Sequence, residues 1–242
     1  MKMLFIAPQP FYQDRGTPIA TDLLLRALSE RGDVIDVVTY HEGEDRIYNN
    51  VTIHRIWSWV PVRNIRPSFT TKKVVCDFFL FVKVLLMVMR NKYDVIHAIE
   101  ESVFMATFVH VFTKIPFIYD MDSLLYTRLI DKHPSLRWAR RIPRRLKAVP
   151  IQMAYAVIPV CHSIARYAQW VHAKKVCILK DIPLLKVLHT QEDVIHIRPE
   201  FGIHDSIIMY IGNFEQYQGI DLLLQAFARL TETLTAHLVL VG

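Results

Sequence analysis

Four short runs hold the side chains best suited to chemistry. The first is Gly16-Thr17-Pro18, a turn between an apolar segment and a helix-like one. A helix opening there aims free backbone N–H groups and the positive end of its dipole at an incoming phosphate. The same residues also make an ordinary capped helix start. The second run, Tyr93 to Glu101, sets His97, Glu100 and Glu101 at a strand end and loop. An imidazole there can move a proton or pack as a satisfied polar residue, and the glutamates can line a cleft or open a helix. The third, Pro116 to Leu125, ends a strand with Asp120, Asp122 and Ser123. The two carboxylates serve one site if the chain turns there. They can orient a hydroxyl, bind a metal or cap a helix, and Ser123 before an apolar run suits a cap. The fourth, Ile207 to Phe227, reads as a strand, two glycine turns (Gly212, Gly219) and an amphipathic helix.

Several chemistries are disfavoured. There is no G-x-G-x-x-G and no G-x-x-x-x-G-K-[ST], which argues against a dinucleotide or P-loop site. There is no H-E-x-x-H, and the histidines and cysteines lack metal-ligand spacing, so no metal and no other cofactor is expected. Cys161 and His162 are sequence neighbours, which does not make a catalytic pair. Cys76, Cys161 and Cys177 are odd in number without a C-x-x-C, as in a reduced cytoplasmic chain. The N-terminal apolar run is too short for a secretory signal.

The bulk properties fit a packed protein with anionic partners. Hydrophobic residues make up 52% and charged ones 21%, enough for a sizeable core. The net charge of +6 favours nucleotides, lipid headgroups or nucleic acid, and no nucleic-acid motif accompanies it. Arg137, Arg140, Arg141, Arg144, Arg145 and Lys147 lie near Trp138, Ile142 and Leu146. Such a segment suits a solvated helix face, the commoner case, or an anionic membrane surface, so a cytoplasmic chain is expected, with peripheral attachment at the inner face of the membrane as the alternative. The apolar stretch Val74–Met89 is shorter than the ~20 residues of a span and holds Asp77 and Lys83, so it reads as a core or interfacial helix.

The elements that must position these groups alternate. Apolar strands are predicted at Met3–Ala7, Val34–Thr39, Val51–Ile56, Tyr93–His97, Pro116–Asp120, Ala156–Val160 and Val176–Leu179. Helices are predicted at Thr17–Arg31, within Arg66–Asn91, at Ser102–Phe112 and at Ser163–Val171. Thr17-Pro18 fits an N-cap followed by proline, and Gly32 a helix stop. Leu136–Met153 is a basic helical region interrupted by Pro143 and Pro150. Short buried strands spaced by helices imply a doubly wound parallel α/β sheet, Rossmann-like. Three parts follow: 1–180, a first domain; 181–205, a linker; and 206–242, a βαβ start of a second Rossmann-like unit. That last part is about 37 residues, under the ~40 that fold without help.

Taken in order, the glycine loop at Gly16, the strand YDVIHA (Tyr93–Ala98), the unit AYAVIPVCHSIARYA (Ala154–Ala168) and YIGNFEQYQGIDLLLQAF (Tyr210–Phe227) resemble the family 4 retaining glycosyltransferases of the GT-B fold. The resemblance covers essentially the whole chain. It implies two facing Rossmann-like domains: an acceptor-side one at 1–180 and a donor-binding one that starts at 206 and is truncated at Gly242, before the family's paired glutamates and nucleoside pocket. It implies transfer of a sugar from a nucleotide diphosphate sugar to a cell-envelope, polysaccharide or lipid-linked acceptor, without a metal. On this reading Gly16, Thr17, Gly212, Asn213, Gln218 and Gly219 meet the donor. His97, Asp120 and Asp122 are the catalytic candidates, with Glu100, Glu101 and Ser123 on the acceptor side. Asn213 and Gln218 stand where the family has an arginine and a lysine, and Asp122 where it has a histidine. Amides donate hydrogen bonds roughly half as strong as charged donors do. The rival expectation is a non-catalytic binding or scaffold protein, or an interrupted-gene product, of the same fold.

Overall fold

The computed structural model describes residues 1–65, 70–123, 144–182, 197–212, 214 and 218–242, with backbone only for 144–147 and 197. It divides into two compact units, Met1–Leu184 and Leu185–Gly242.

The first unit holds six strands: β1 (Lys2–Ala7), β2 (Val34–Thr39), β3 (Val51–Arg55), β4 (Val95–Ile99), β5 (Phe117–Met121) and β6 (Ala156–Pro159). They form one parallel sheet in the order β3-β2-β1-β4-β5-β6, the doubly wound arrangement of a Rossmann-like fold. Its helices are α1 (Gly16–Glu30), α2 (Thr71–Arg90), α3 (Ser102–Thr113), α4 (Arg144–Met153) and α5 (His162–Trp170). Strand side chains alternate between faces. Met3, Phe5 and Ala7 of β1 pack in one cluster with Leu25 of α1. Leu4 and Ile6 pack in the other, with Leu80 of α2, Ala106 of α3, Ile151 of α4 and Ile164 of α5. Because both faces are covered, β1 and β4 carry apolar residues nearly throughout instead of alternating with polar ones. The chain steps from β1 to β2 in one direction and from β4 to β5 in the other. Right-handed crossovers therefore put α1 and α3 on opposite faces.

Four local expectations are corrected. The N-cap of α1 is Arg15, extended at φ −147° and ψ 159°, and Thr17 lies inside the helix. Ile19 N–H reaches Arg15 O at 2.9 Å to close the first turn. Pro18 fits there because first-turn N–H groups have no partner within a helix anyway. Gly32 does end α1, at φ +85°. β4 begins two residues later than expected, at Val95. Tyr93 and Asp94 are drawn off instead: the Tyr93 hydroxyl donates to Asp36, and the Asp94 carboxylate accepts from Lys2 N at 2.7 Å.

Val176–Leu179 is not a strand. It makes one parallel bridge, Val157 to Val176, and Cys177 N–H donates to Val157 O at 3.0 Å. Leu179 N–H also reaches Pro159 O at 3.1 Å, but Cys177 and Leu179 are exposed, and the contact does not become a regular strand. Finally, α4 runs through Pro150. Ala148, Ile151 and Ala154 of that stretch are buried against the sheet, and packing outweighs the missing N–H. Of the basic segment, Arg137, Arg140 and Arg141 lie outside the described residues, as do the side chains of Arg144, Arg145 and Lys147.

The second unit contains α6 (Ile197–Glu200), β7 (Ser206–Ile211), α7 (Ile220–Leu230) and β8 (Ala236–Val241). β7 and β8 pair in parallel, Ser206 opposite Ala236 through Ile211 opposite Val241. No residue of α7 is buried, and Leu222 is 71% exposed.

Candidate functional site

In a parallel sheet every strand ends on the same edge, and ligands gather where the strand order reverses. Here the reversal lies between β1 and β4. The loop after β1 (residues 8–15) and the turns after β4 (Glu100, Glu101) and β5 (Asp122, Ser123) leave the sheet at that edge.

The loop after β1 is held by its neighbours. Phe11 and Tyr12 are buried. Phe11 N–H donates to Glu42 O at 3.2 Å, and Tyr12 and Glu44 exchange backbone bonds at 3.0 and 2.9 Å. Arg55, at the end of β3, fastens both segments. Its guanidinium donates to Phe11 O at 2.6 Å, Glu42 O at 3.0 Å and Glu44 O at 2.9 Å, and it pairs with the Asp45 carboxylate. Arg46 lies over the Tyr12 ring, 3.8 Å from its centroid. Gly43 has φ +122°, and a Cβ there would stand 2.3 Å from Phe11 O, so this close approach needs glycine.

The loop delivers the chain to the open start of α1. That helix has no capping side-chain hydrogen bond and no acidic residue in its first turn. A Cβ on Gly16 would meet no atom within 4 Å, and Thr17 follows it in the first turn. The N–H groups and the positive dipole end are thus free of an internal anion.

On the β4 side carboxylates dominate. His97 is not at a strand end. It sits mid-strand in β4, 2% exposed, stacked on Phe5 with ring centroids 4.3 Å apart. Its Nε2 is 3.0 Å from Asp120 Oδ2, so it holds Asp120 in place from the neighbouring strand. Asp120 is 17% exposed at its side chain and has reach to solvent. Glu100 turns the chain at φ 49°, with its N–H on Asp120 O at 3.0 Å and its carboxylate accepting from the Ser123 hydroxyl at 3.0 Å. Ser123 thereby ties the β5 exit to the β4 exit. Asp122 is half-buried in the bend between them. Glu101 is paired with Lys73 of α2.

Behind that turn, the Tyr40 hydroxyl donates to Asp77 at 2.5 Å. Loss of hydration, and then the Glu101 charge, push the Asp77 carboxyl up to about 7. Burial likewise raises the Tyr40 hydroxyl, with Asp77 adding to it. Asp181 is pushed up by partial loss of its water shell, with the Asp120 charge adding to it.

Sequence reasoning missed Arg55, Asp77 and Asp181 as contributors to this edge. Arg55 acts on carbonyls 11 to 44 residues away, which no local pattern announces. Asp77 is the one acid in an apolar helix, which was a usable signal.

In the second unit, Gly212 follows β7 at φ +151° with its N–H on Val241 O at 2.8 Å, and Gly219 caps α7 at φ +75°. Gln218 precedes it and is exposed. Asn213 lies outside the described residues. Among the described residues, no group of three or more His, Cys, Asp or Glu could hold a metal ion.

A family model described as Glycosyltransferase Family 4 matches residues 15–180. The chain is also similar to solved structures. Sucrose-phosphate synthase from Thermosynechococcus elongatus aligns over 100% of this chain and 62% of its own length, with a TM-score of 0.68 and 19% identity. WaaG, a glycosyltransferase involved in lipopolysaccharide biosynthesis, aligns over 99% and 63%, with a TM-score of 0.61 and 15% identity. The catalytic domain of starch synthase IV from Arabidopsis thaliana, bound to ADP and acarbose, aligns over 100% and 68%, with a TM-score of 0.62 and 12% identity. The chain thus spans about three fifths of the length of the first two. No curated protein matches it.

Proposed function

The chain belongs to Glycosyltransferase Family 4, and from that premise we propose that it forms the acceptor-side domain, with the opening of the donor-side domain, of a sugar-transferring enzyme. The enzyme moves a sugar, with retention, from a nucleotide diphosphate sugar to a cell-envelope, polysaccharide or lipid-linked acceptor. The observation that supports this best is the open start of α1 at the sheet's reversal point, without a side-chain cap, without an acid in its first turn and clear around Gly16, the Asp14 carboxylate before it accepting from the Tyr12 hydroxyl.

The departing diphosphate gathers negative charge in the transition state, and fixed N–H donors aimed at that charge lower the barrier. Gly16 and Thr17 supply such donors. Gly212, Asn213, Gln218 and Gly219 form the donor loop, with amides where a cation would bind more strongly. Asp120, Asp122 and Glu100 line the acceptor side, and Ser123 and Glu101 shape the turns that present them. His97 is a positioning residue for Asp120, since it is buried beneath it. No metal takes part in this proposal.

A second reading, a binding protein of the same fold without turnover, is favoured by the uncharged Gln218 beside Gly219. Titration calorimetry with UDP- and GDP-sugars followed by a transfer assay separates the two, because a binding protein takes up a donor without turning it over. Saturable binding is expected, and then sugar transfer. Donor uptake without any sugar transfer, measured on a chain that carries the whole donor-side domain, would sink the transferase reading.

A further inference from the structure

α2 and α3 each bury one apolar stripe and leave a second one outside. On α2 the buried stripe is Cys76, Leu80, Val84 and Met87. Phe78 and Met89, on the opposite side, are 62% and 75% exposed. On α3 the buried stripe is Val103, Ala106 and Val109. Phe104, Phe108 and Phe112, each four residues from the next, are 55%, 46% and 70% exposed. The outer stripes meet, because the Phe81 and Phe108 rings are 5.2 Å apart and Phe108 and Phe112 are 4.8 Å apart. Trp59, itself exposed, packs edge-on against Phe79 at 5.1 Å and extends the surface. A scattered exposed leucine is ordinary, but an aromatic ridge over two adjacent helices marks an interaction site.

The helices that carry this ridge are basic, and the acids at the start of α3 are engaged, Glu100 with Ser123 and Glu101 with Lys73. α2 and α3 together contain a single carboxylate, Asp77, which accepts from Tyr40 and so is engaged inside. α2 carries Lys72, Lys73, Lys83 and Arg90, and Lys114 caps α3. Lys73 is paired with Glu101, and the Lys83 ammonium stands 5.2 Å from the Trp57 ring. α4, which packs against α3, includes Arg144, Arg145 and Lys147 in its sequence. A protein partner commonly meets a rim of mixed charge. Aromatic residues beside lysines with no outward acid are the composition of an interfacial helix on anionic lipid. No described helix is long and apolar enough to cross a membrane, so these helices would lie on one.

We propose that the α2–α3 face is a membrane-docking surface for an anionic bilayer, its aromatic side chains entering the headgroup layer and its lysines meeting lipid phosphate. The docking itself stands apart from the transferase reading. What it adds rests on that reading: α3 starts directly after Glu100 and Glu101, so a docked bilayer brings a lipid-linked acceptor to the edge where the carboxylates lie.

The test is co-sedimentation of the 242-residue chain with phosphatidylglycerol-containing vesicles and with pure phosphatidylcholine vesicles, with tryptophan emission as a second readout. Binding to the anionic vesicles alone is expected, falling as salt rises, with a blue shift of emission. Phe78→Ser combined with Phe112→Ser should weaken partition about tenfold or more, since two large apolar groups leave the interface. Both positions are exposed, and an unchanged thermal melt would show that the fold persists. Lys83→Glu with Lys114→Glu removes no apolar group and should also weaken binding. Undiminished binding by both variants, equal binding to neutral vesicles, or a folded wild type that self-associates without binding vesicles would each overturn the proposal. A transfer assay on a chain that carries the whole donor-side domain keeps the two readings apart: vesicle binding with donor uptake but without sugar transfer would leave the surface standing and remove the transferase.

Discussion

On the β1 side of the reversal, polar groups are fixed by main-chain carbonyls and arginines, and the loop ends at an empty helix start. On the β4 side they are fixed by carboxylates, and nearly every side chain has a partner: His97 with Asp120, Glu100 with Ser123, Glu101 with Lys73. The first arrangement leaves electropositive backbone pointing outward. The second leaves net negative charge whose ionisation is already strained, as Asp77 and Asp181 show. A site between them would meet an anion on one side and hydroxyls on the other, which is the division of labour that sugar transfer from a diphosphate requires. It also predicts that the two sides answer differently to mutation and to pH.

The largest effect should come from Arg55→Ala. It leaves Phe11 O without its partner and takes one of two hydrogen bonds from Glu42 O and from Glu44 O, which keep the N–H groups of Phe11 and Tyr12. A loss of about 3 kcal/mol in urea unfolding is expected, because four hydrogen bonds to one charged group go together and Phe11, one of the acceptors, is buried. A loss below about 1 kcal/mol would mean that the β1 loop holds its shape without the clamp.

His97→Ala comes next, at about 2 kcal/mol, from the lost stack on Phe5, the cavity left in β4 and the lone Asp120. Its melt should fall while the protein still binds a nucleotide sugar by calorimetry, since His97 belongs to the other side. Loss of donor binding with a modest change in stability would blur the contrast between the two sides.

Asp77→Asn should act with the opposite sign. Asp77 titrates at about 7 in the fold against an ordinary value of 3.8. Between those values the folded chain keeps a proton that the unfolded chain has released, so stability falls as pH rises through this window and levels off above it. Asparagine still accepts from the Tyr40 hydroxyl and never ionises. The variant should gain about 1 kcal/mol near pH 8 and little near pH 4, flattening the pH profile. A wild-type urea midpoint that does not change between those two pH values would rule out this account of Asp77.

The architecture was legible from the chain because burial on both sheet faces writes itself as short apolar runs between amphipathic ones. β1, β2 and α3 were found within a residue or two of their observed ends. What failed was placement by a residue or more where polar groups compete. Tyr93 looked like the start of β4, but its hydroxyl is taken by Asp36 in β2, and that shift moves His97 from a strand end into the core. Val176–Leu179 has the composition of a strand, but only Val176 packs against the core, while Cys177 and Leu179 are exposed. Arg55 sits on a half-exposed strand with nothing local to mark it, and its work depends on loops that come together only in the fold. Of the site, the sequence marked the glycine and carboxylate positions; it did not mark which of them are engaged with each other.

Gly16→Val should have the smallest effect on stability and still be the sharpest test. A valine Cβ there meets no atom within 4 Å, and Gly16 does not occupy the left-handed region, so neither clash nor backbone strain opposes it. The change should stay within about 1 kcal/mol of the wild type, since valine has a somewhat higher helix propensity than glycine. Yet the branched side chain would fill the space through which an anion must approach the first N–H groups of α1. Donor affinity by calorimetry should fall at least about tenfold while the melt barely moves. A variant that binds donor as the wild type does would place the diphosphate elsewhere and leave the uncapped start of α1 without a role. A variant that unfolds would show that this start is packed, and the contrast between an open β1 side and a filled β4 side would fail with it.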